Sequence, residues 1–330
     1  MDINELKEQL LESNSITIVT HKNPDGDAIG SSLGLQNFLK NINITSTVVI
    51  PNSAPKFLHW MEGYQDILNH EENPQEAEKK IAESELIFCL DFNALHRIGD
   101  IGILVDKSKS VKVLIDHHID PGNFAQFVLS DTKASSASEL VYEFICLLKE
   151  TKHINQAAGE ALYCGIITDT GSFKFPSTSA RTHEIASTLI SNGVDNGKVH
   201  QLVYDSSSIT RIQLIGHCLN SMEVINNQAS LFTLTYEDQD KFNVTKGDSE
   251  GIVNYGLSVK SIQVSAFMQE ENQGLVKVSF RSKGDLDMNL FAREYFNGGG
   301  HKNAAGGICN LTLKEAKKLY TNSILKYINA

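Results

Sequence analysis

Ile16-Thr17-Ile18-Val19-Thr20 runs directly into His21-Lys22-Asn23-Pro24-Asp25-Gly26-Asp27. The first five residues are β-branched and read as a strand. Residues 28–39, rich in Leu and Gly, read as a helix. The polar heptapeptide between them is therefore a strand-to-helix loop. Further along, residues 45–50 read as a second strand. Residues 75–83, just after Pro74, read as a helix, and 86–90 and 111–115 as two continuous apolar strands. Strands without polar alternation are expected where helices cover both faces of a parallel sheet. With strand and helix alternating, the first half is expected to be a doubly wound, mostly parallel α/β domain. Ligands in such sheets sit beyond the carboxyl ends of the strands, and His21, Asp91 and Asp116 all fall there.

On either side of this core, residues 3–12 read as an amphipathic helix, and the chain from 136 to 217 as mostly helical. Ser135 or Ser136 is the expected cap of one helix there, and 156–167 forms another. After a stretch leading out of the first domain (195–219), residues 230–236, 261–269 and 274–281 alternate in the manner of antiparallel strands. Residues 289–296 and 314–327 read as helices. The expected layout is a catalytic domain over 1–190, a helical linker over 191–225, and a smaller α/β substrate-binding domain with a mixed sheet over 226–330. The active site is expected in a cleft between the domains.

The 330 residues carry 29 basic and 40 acidic side chains, a net charge of −11. That argues against a general nucleic-acid coat protein, which would present a basic face, but not against a phosphorylated substrate if a metal centre supplies positive charge locally. The five cysteines (Cys89, Cys146, Cys164, Cys218, Cys309) are scattered and form no CxxC pair, as in a reduced, cytoplasmic protein. The N-terminus has no signal-peptide core. No apolar run approaches the roughly 20 residues of a membrane span. A soluble, cytoplasmic protein is expected.

Four fragments gather oxygen and imidazole donors: His21 to Asp27, Asp91, Asp116-His117-His118, and Asp169. Taken singly, an Asp-Gly-Asp is a turn, a His-His pair is structural, and Asp91 or Asp169 caps an element. Their shared position at element ends points instead to two divalent cations held side by side. Pro24 and Gly26 force a turn that lets Asp25 and Asp27 serve different ions. His21 joins Asp25 on one, Asp91 bridges both, and His117 and Asp169 complete the second. Mixed N and O donors suit Mn²⁺, with Mg²⁺ and Co²⁺ as alternatives. His118 would face substrate as a proton or hydrogen-bond donor. Asp116 would hold a histidine in place, and Arg97 would grip a phosphate.

Near the C-terminus, Asn297-Gly298-Gly299-Gly300-His301-Lys302-Asn303-Ala304-Ala305-Gly306-Gly307 reads as an anion cradle. Three glycines let backbone N–H groups turn to an anion, and His301, Lys302 and Asn303 follow as donors. Arg281 and Arg293 are expected nearby.

At these residues the chain resembles the DHH phosphoesterase superfamily, named for the triplet present here as Asp116-His117-His118. The resemblance covers nearly the whole length, through His21 to Ser32, Leu90-Asp91-Phe92, Ile115 to His118 and Gly165 to Gly171. The stretch from Gly298 to Gly306 is similar to the nucleic-acid-binding domain associated with the first DHH subfamily. Pyrophosphatases and exopolyphosphatases of the second subfamily end differently. Within the first subfamily, the length and layout look most like the bifunctional nano-RNases that also dephosphorylate 3'-phosphoadenosine-5'-phosphate (pAp). The resemblance implies one manganese on His21, Asp25 and Asp91, and another on Asp27, Asp91, His117 and Asp169. It sets His118 at the scissile phosphate, and His301 and Asn303 on the substrate. The implied substrates are short RNA oligonucleotides and pAp. No membrane partner is implied, and a homodimer is left open.

A phosphodiesterase for cyclic di-adenylate or pApA would share this fold and chemistry. A RecJ-like single-strand DNA exonuclease would need extra length and a basic surface. A non-catalytic nucleotide-binding module would have no need of a bridging carboxylate.

Overall fold

The computed structural model describes residues 2–245, 247–272 and 274–329. Met1 and Ala330, the outer bounds of the two expected domains, lie outside the described residues. The chain divides into two compact units, with the boundary between Ser206 and Ser207.

The first unit contains α1 (Ile3–Glu12), β1 (Ile16–Thr20), α2 (Gly26–Asn41), β2 (Ser46–Ile50), β3 (Leu68–Asn69), α3 (Pro74–Glu83), β4 (Leu86–Leu90) and α4 (Ile101–Lys107). It continues through β5 (Val111–Asp116), β6 (Phe127–Ser130), α5 (Ala137–Leu147), α6 (Gln156–Asp169), α7 (Ala180–Ser191) and α8 (Asn196–Tyr204). The strands form one sheet in the order β3-β2-β1-β4-β5-β6, and every pairing is parallel. The doubly wound fold expected from the apolar runs is therefore present. Successive strand residues point to opposite faces. Ile16, Ile18, Leu86, Phe88 and Val113 join a core with α1, α2, α5 and α6. Val19, Ile87, Cys89 and Leu114 join a second core with α3 and α4. Phe88 meets Phe144 edge-on at 5.7 Å, tying β4 to α5. The winding direction reverses between β1 and β4, so the crevice at their carboxyl ends is the switch point where such sheets bind ligands.

Helix α2 carries Gly26, Gly30 and Gly34 at four-residue spacing, a flat stripe down one face. A Cβ on Gly30 would lie 2.6 Å from the Ala161 carbonyl oxygen, and one on Gly34 would lie 2.5 Å from a Leu162 methyl. The stripe lets α6 pack antiparallel and close, with Thr168 against Gly26. The end of α6 is thereby brought to the start of α2. Pro74, expected just ahead of its helix, is the first residue of α3, where its missing N–H costs nothing.

The second unit contains α9 (Ile209–Asn220), β7 (Glu223–Ile225), β8 (Ala229–Leu234), α10 (Tyr236–Lys241), α11 (Ile252–Gly256), β9 (Val264–Asn272) and β10 (Leu275–Ser282). It ends with α12 (Met288–Tyr295), β11 (Gly299–His301), β12 (Ala304–Cys309) and α13 (Leu313–Ile328). Stretch 191–225 thus divides between the units: α8 packs on α6 and α9 on β8. The sheet order is β11-β12-β10-β9-β8-β7. The sheet is mixed, as expected, although the alternation of its strands reads as antiparallel throughout. Strand β8 pairs parallel with β9, while the other pairings are antiparallel. Alternation reports a half-buried face, not a direction, and residues 252–256 form a helix within the β8-to-β9 crossover. Tyr236, placed at the end of a strand from sequence, opens α10 instead. Phe280 anchors the core among Phe291, Phe296 and Tyr320, with ring centroids 5.0–6.0 Å away. No helix among the described residues is long and apolar enough to cross a membrane.

Candidate metal centre

The carboxyl ends of β1, β4 and β5 deliver His21, Asp91 and Asp116-His117-His118, and the facing ends of α2 and α6 deliver Asp25, Asp27 and Asp169. Each side chain is held by local structure. Asp25 caps α2, its Oδ1 accepting from the N–H groups of Asp27 and Ala28 at 3.1 Å. The loop before it is clamped by a reciprocal pair: Asn23 N–H donates to Asn52 Oδ1 at 2.7 Å, and Asn52 Nδ2 donates to Asn23 Oδ1 at 2.8 Å. Asn23 is left-handed, with φ of 57°. Asp91 is also left-handed, at 62°, a conformation aspartate tolerates better than most residues. Its N–H donates to Ile115 O at 3.1 Å, which fixes the turn that swings its carboxylate over the strand ends.

Within the first unit, three donor groups result, each with ligand atoms within 4.8 Å of one another: His21, Asp25 and Asp91; Asp27, His117 and Asp169; Asp91, Asp116 and His118. Asp91 lies between the first two. Its Oδ2 is 3.4 Å from His21 Nε2, and its Oδ1 is 3.5 Å from His117 Nε2. His21 Nε2 is 3.8 Å from Asp25 Oδ1. His117 Nε2 is 3.4 Å from Asp169 Oδ2 and 3.9 Å from Asp27 Oδ2. In both imidazoles the other nitrogen meets a backbone carbonyl, Nδ1 of His21 at Lys22 O (3.0 Å) and Nδ1 of His117 at Ala134 O (3.3 Å). A proton assigned to each Nδ1 leaves both Nε2 lone pairs aimed at the carboxylates. That is the tautomer a metal ligand needs.

Burial raises Asp27 well above the usual carboxylate range, and the charges of Asp91 and Asp169 add to it. Burial also lifts Asp169, to about 6, against the pull of His117. Burial alone would lower His21, but Asp25 and Asp91 carry it up to about 10. His117 moves up in the same way beside Asp91. Among the described residues, no lysine or arginine forms an ion pair with Asp25, Asp27, Asp91, Asp116 or Asp169. Crowded carboxylates that no described lysine or arginine offsets, faced by imidazole nitrogens, are a donor set that a pair of divalent cations fits. The buried Oδ2 of Asp116 also lacks a hydrogen-bond partner.

His118 differs from its neighbour. Its Nδ1 lies 2.7 Å from Asp116 Oδ1. With a proton there, the ring leaves Nε2 for another partner. Arg97 comes close to the centre through its backbone, since its carbonyl accepts the Lys22 N–H at 2.8 Å.

The glycine-rich segment, expected to cradle an anion, is built into the sheet of the second unit. Gly299–His301 and Ala304–Cys309 form an antiparallel hairpin. The N–H of Gly298 donates to Ala292 O, and that of Gly300 to Asn289 Oδ1, both within the second unit. The glycines answer to packing: a Cβ on Gly300 would lie 2.6 Å from Ala304 O. Lys302 Nζ is held by Asp285 at 2.7 Å. Asn303 Nδ2 donates to Ser282 Oγ and Gly284 O, both at 2.9 Å. Arg281 Nη1 donates to Phe280 O, and Arg293 Nε to Asn289 Oδ1.

Sequence reasoning missed one contributor. Ala137 N–H donates to Asp27 Oδ2 at 2.6 Å and Ser138 N–H to Asp27 Oδ1 at 2.9 Å. The start of α5 thus holds Asp27 across more than a hundred residues. The signal available was Ser136-x-x-Glu139, the pattern that opens a helix.

Comparison with known proteins bears on what this arrangement does. Residues 15–166 match the DHH family, N-terminal domain, and residues 228–328 match the DHHA1 domain. A Streptococcus mutans protein named probable bifunctional oligoribonuclease and PAP phosphatase NrnA is 30% identical over 93% of each chain. The cyclic-di-AMP phosphodiesterase PdeA of Listeria monocytogenes is 27% identical over 98% of this chain, which spans about half of that protein (49%). Among solved structures, an exopolyphosphatase-related protein from Bacteroides fragilis superposes with a TM-score of 0.94. It is 41% identical and covers 98% of this chain and 96% of its own.

Proposed function

We propose, from the premise that the chain belongs to the DHH family of phosphoesterases, that it is a manganese-dependent hydrolase of very short RNA and of pAp. It releases mononucleotides from the RNA and removes the 3'-phosphate of pAp to give AMP. The observation that carries this reading is Asp91, with one carboxylate oxygen toward His21 and the other toward His117. His21, Asp25 and Asp91 would hold one ion, and Asp27, Asp91, His117 and Asp169 the other. When bound, such ions supply Lewis-acid stabilisation of phosphoryl charge and a nucleophile at neutral pH.

The chain's own groups do the rest. Asp116 fixes the orientation of His118 through the 2.7 Å contact. His118 Nε2–H then donates to the leaving oxygen, a role worth about 10²–10⁴ in rate. Arg97 binds a phosphate of the substrate. In the second unit, Arg281, His301, Asn303 and the Gly298 to Gly300 strand contact the remainder of it. Support for the two substrates comes from the Streptococcus relative, which is covered over nearly its whole length. Cyclic di-adenylate or pApA as substrate is the second reading, favoured by the full-length match to half of the Listeria phosphodiesterase. Turnover of pAp, an RNA trimer, pApA and the cyclic dinucleotide by one manganese-loaded preparation separates them. A preference for the cyclic dinucleotide or pApA would overturn the first reading.

A further inference from the structure

Two of the three groups in the Asp27, His117 and Asp169 cluster lean on one short stretch of chain. Ala134 receives the His117 Nδ1 contact at 3.3 Å. Ala137 and Ser138 hold both oxygens of Asp27. This stretch, residues 134–138, is in turn tied down by Glu139, which is 5% exposed. Glu139 Oε2 accepts from Ser135 N–H at 3.3 Å, from Ser135 Oγ at 2.5 Å and from Thr182 Oγ1 at 2.8 Å. Ser135 and Thr182 are themselves buried, and Thr182 belongs to the reciprocal cap that opens α7 with Ser179.

A Ser-x-x-Glu helix start ordinarily turns its glutamate back to the capping residue's own N–H. Here Ser136 receives the Glu139 N–H at 3.0 Å, but the carboxylate bypasses Ser136. It reaches Ser135 and α7 instead. Three donors converge on one buried oxygen, so removing it leaves each without its partner.

We infer that Glu139 is a positioning residue for the Asp27, His117 and Asp169 cation site. It clamps residues 134–138 to α7 and thereby fixes a carboxylate and an imidazole together. The other site has separate supports: Asp25 is held by the first turn of α2, and His21 meets Lys22 O. Loss of the clamp therefore weakens one ion and spares the other. This inference rests on the two-ion reading above.

The test is Mn²⁺ binding to chelator-treated full-length protein, followed by titration calorimetry and by electron paramagnetic resonance counting of bound ions. Wild type binds two ions. Glu139→Ala keeps one at wild-type affinity and loses about 10–100-fold at the other, the usual cost of removing a partner behind a metal ligand. Glu139→Gln, whose amide oxygen accepts the same donors, stays within a few-fold of wild type. A folded Glu139→Ala that binds both ions normally, or loses affinity equally at both, overturns the inference. So does a Glu139→Gln as weak as the alanine. If Glu139→Ala does not fold, Thr182→Val removes one of the three bonds and carries the test. It must show the same one-sided loss in smaller degree, and an even loss or none overturns the inference. A wild type that binds fewer than two ions would instead refute the cation-site reading itself.

Discussion

Asp116 and His118, two residues apart at the end of β5, face each other with the imidazole Nδ1 2.7 Å from the carboxylate Oδ1. His117, between them, turns the other way, its Nε2 toward Asp27, Asp91 and Asp169. The two imidazoles stand edge-to-face, 5.0 Å apart. Adjacent residues of a strand end point to opposite sides, so a His-His pair can divide its work: one ring for the ions, one for the substrate.

That division predicts an unequal pair of variants. His118→Asn lowers kcat by about 10²–10⁴ and leaves the number of bound ions unchanged. His117→Asn loses an ion. Steady-state rates and metal counts on both variants check this. If His118→Asn sheds an ion, the assignment of roles is wrong.

Asp91→Ala removes the only carboxylate among the described residues that faces both His21 and His117. Several kcal/mol of phosphoryl-charge stabilisation corresponds to a rate loss of about 10³ or more. The expected outcome is loss of turnover on every substrate together, since all share the centre. An Asp91→Ala variant that loses one activity and keeps the other contradicts a single shared site.

Gly30→Ala inserts a Cβ 2.6 Å from the Ala161 carbonyl oxygen. Backbone cannot yield as a flexible side chain can, so α2 and α6 must part. A cost of about 1–3 kcal/mol is expected, read as a lower denaturation midpoint. Because these helices set Asp25 and Asp27 beside Asp169, ion affinity should fall as well. Full stability in Gly30→Ala would mean the helices are not packed through this stripe.

Chelator-treated protein should lose stability as pH rises. Asp169 is lifted from 3.8 to about 6 in the folded state. A raised group contributes fully below its unfolded value, so this contribution fades between about pH 4 and 6. His21, raised from 6.5 to about 10, loses its contribution across that higher window. Urea midpoints at pH 6 and pH 8.5 should therefore fall in the ion-free protein. Added Mn²⁺ should flatten the trend by giving the carboxylates their counter-charge. A midpoint that rises with pH in chelator contradicts this electrostatic account.

The candidate centre was legible in the sequence because the residues it gathers sit where apolar runs stop. Ile16 to Thr20, Leu86 to Leu90 and Lys112 to Ile115 are buried on both faces, so their ends are sharp and the polar residues beyond them stand out. What lay hidden depends on pairings that sequence does not encode locally. The parallel register of β8 with β9 is set by the crossover and not by alternation. Short edge strands such as Leu68–Asn69 bury too little to leave a pattern. In the triple glycine, an absent side chain serves close backbone packing or an anion loop equally well, so the close approach of the Ala304 and Gly306 carbonyls was not legible from sequence. The grip of α5 on Asp27 joins residues 110 and 111 positions apart, a distance no local motif spans.

The most direct test is the purified protein with Mn²⁺ against pAp and a 5'-labelled RNA trimer, each with and without chelator. The account predicts AMP from pAp and mononucleotides from the trimer, both lost in chelator and restored by the metal. Activity that persists in chelator, or metal-dependent hydrolysis of cyclic di-adenylate or pApA with neither pAp nor the trimer touched, would contradict it.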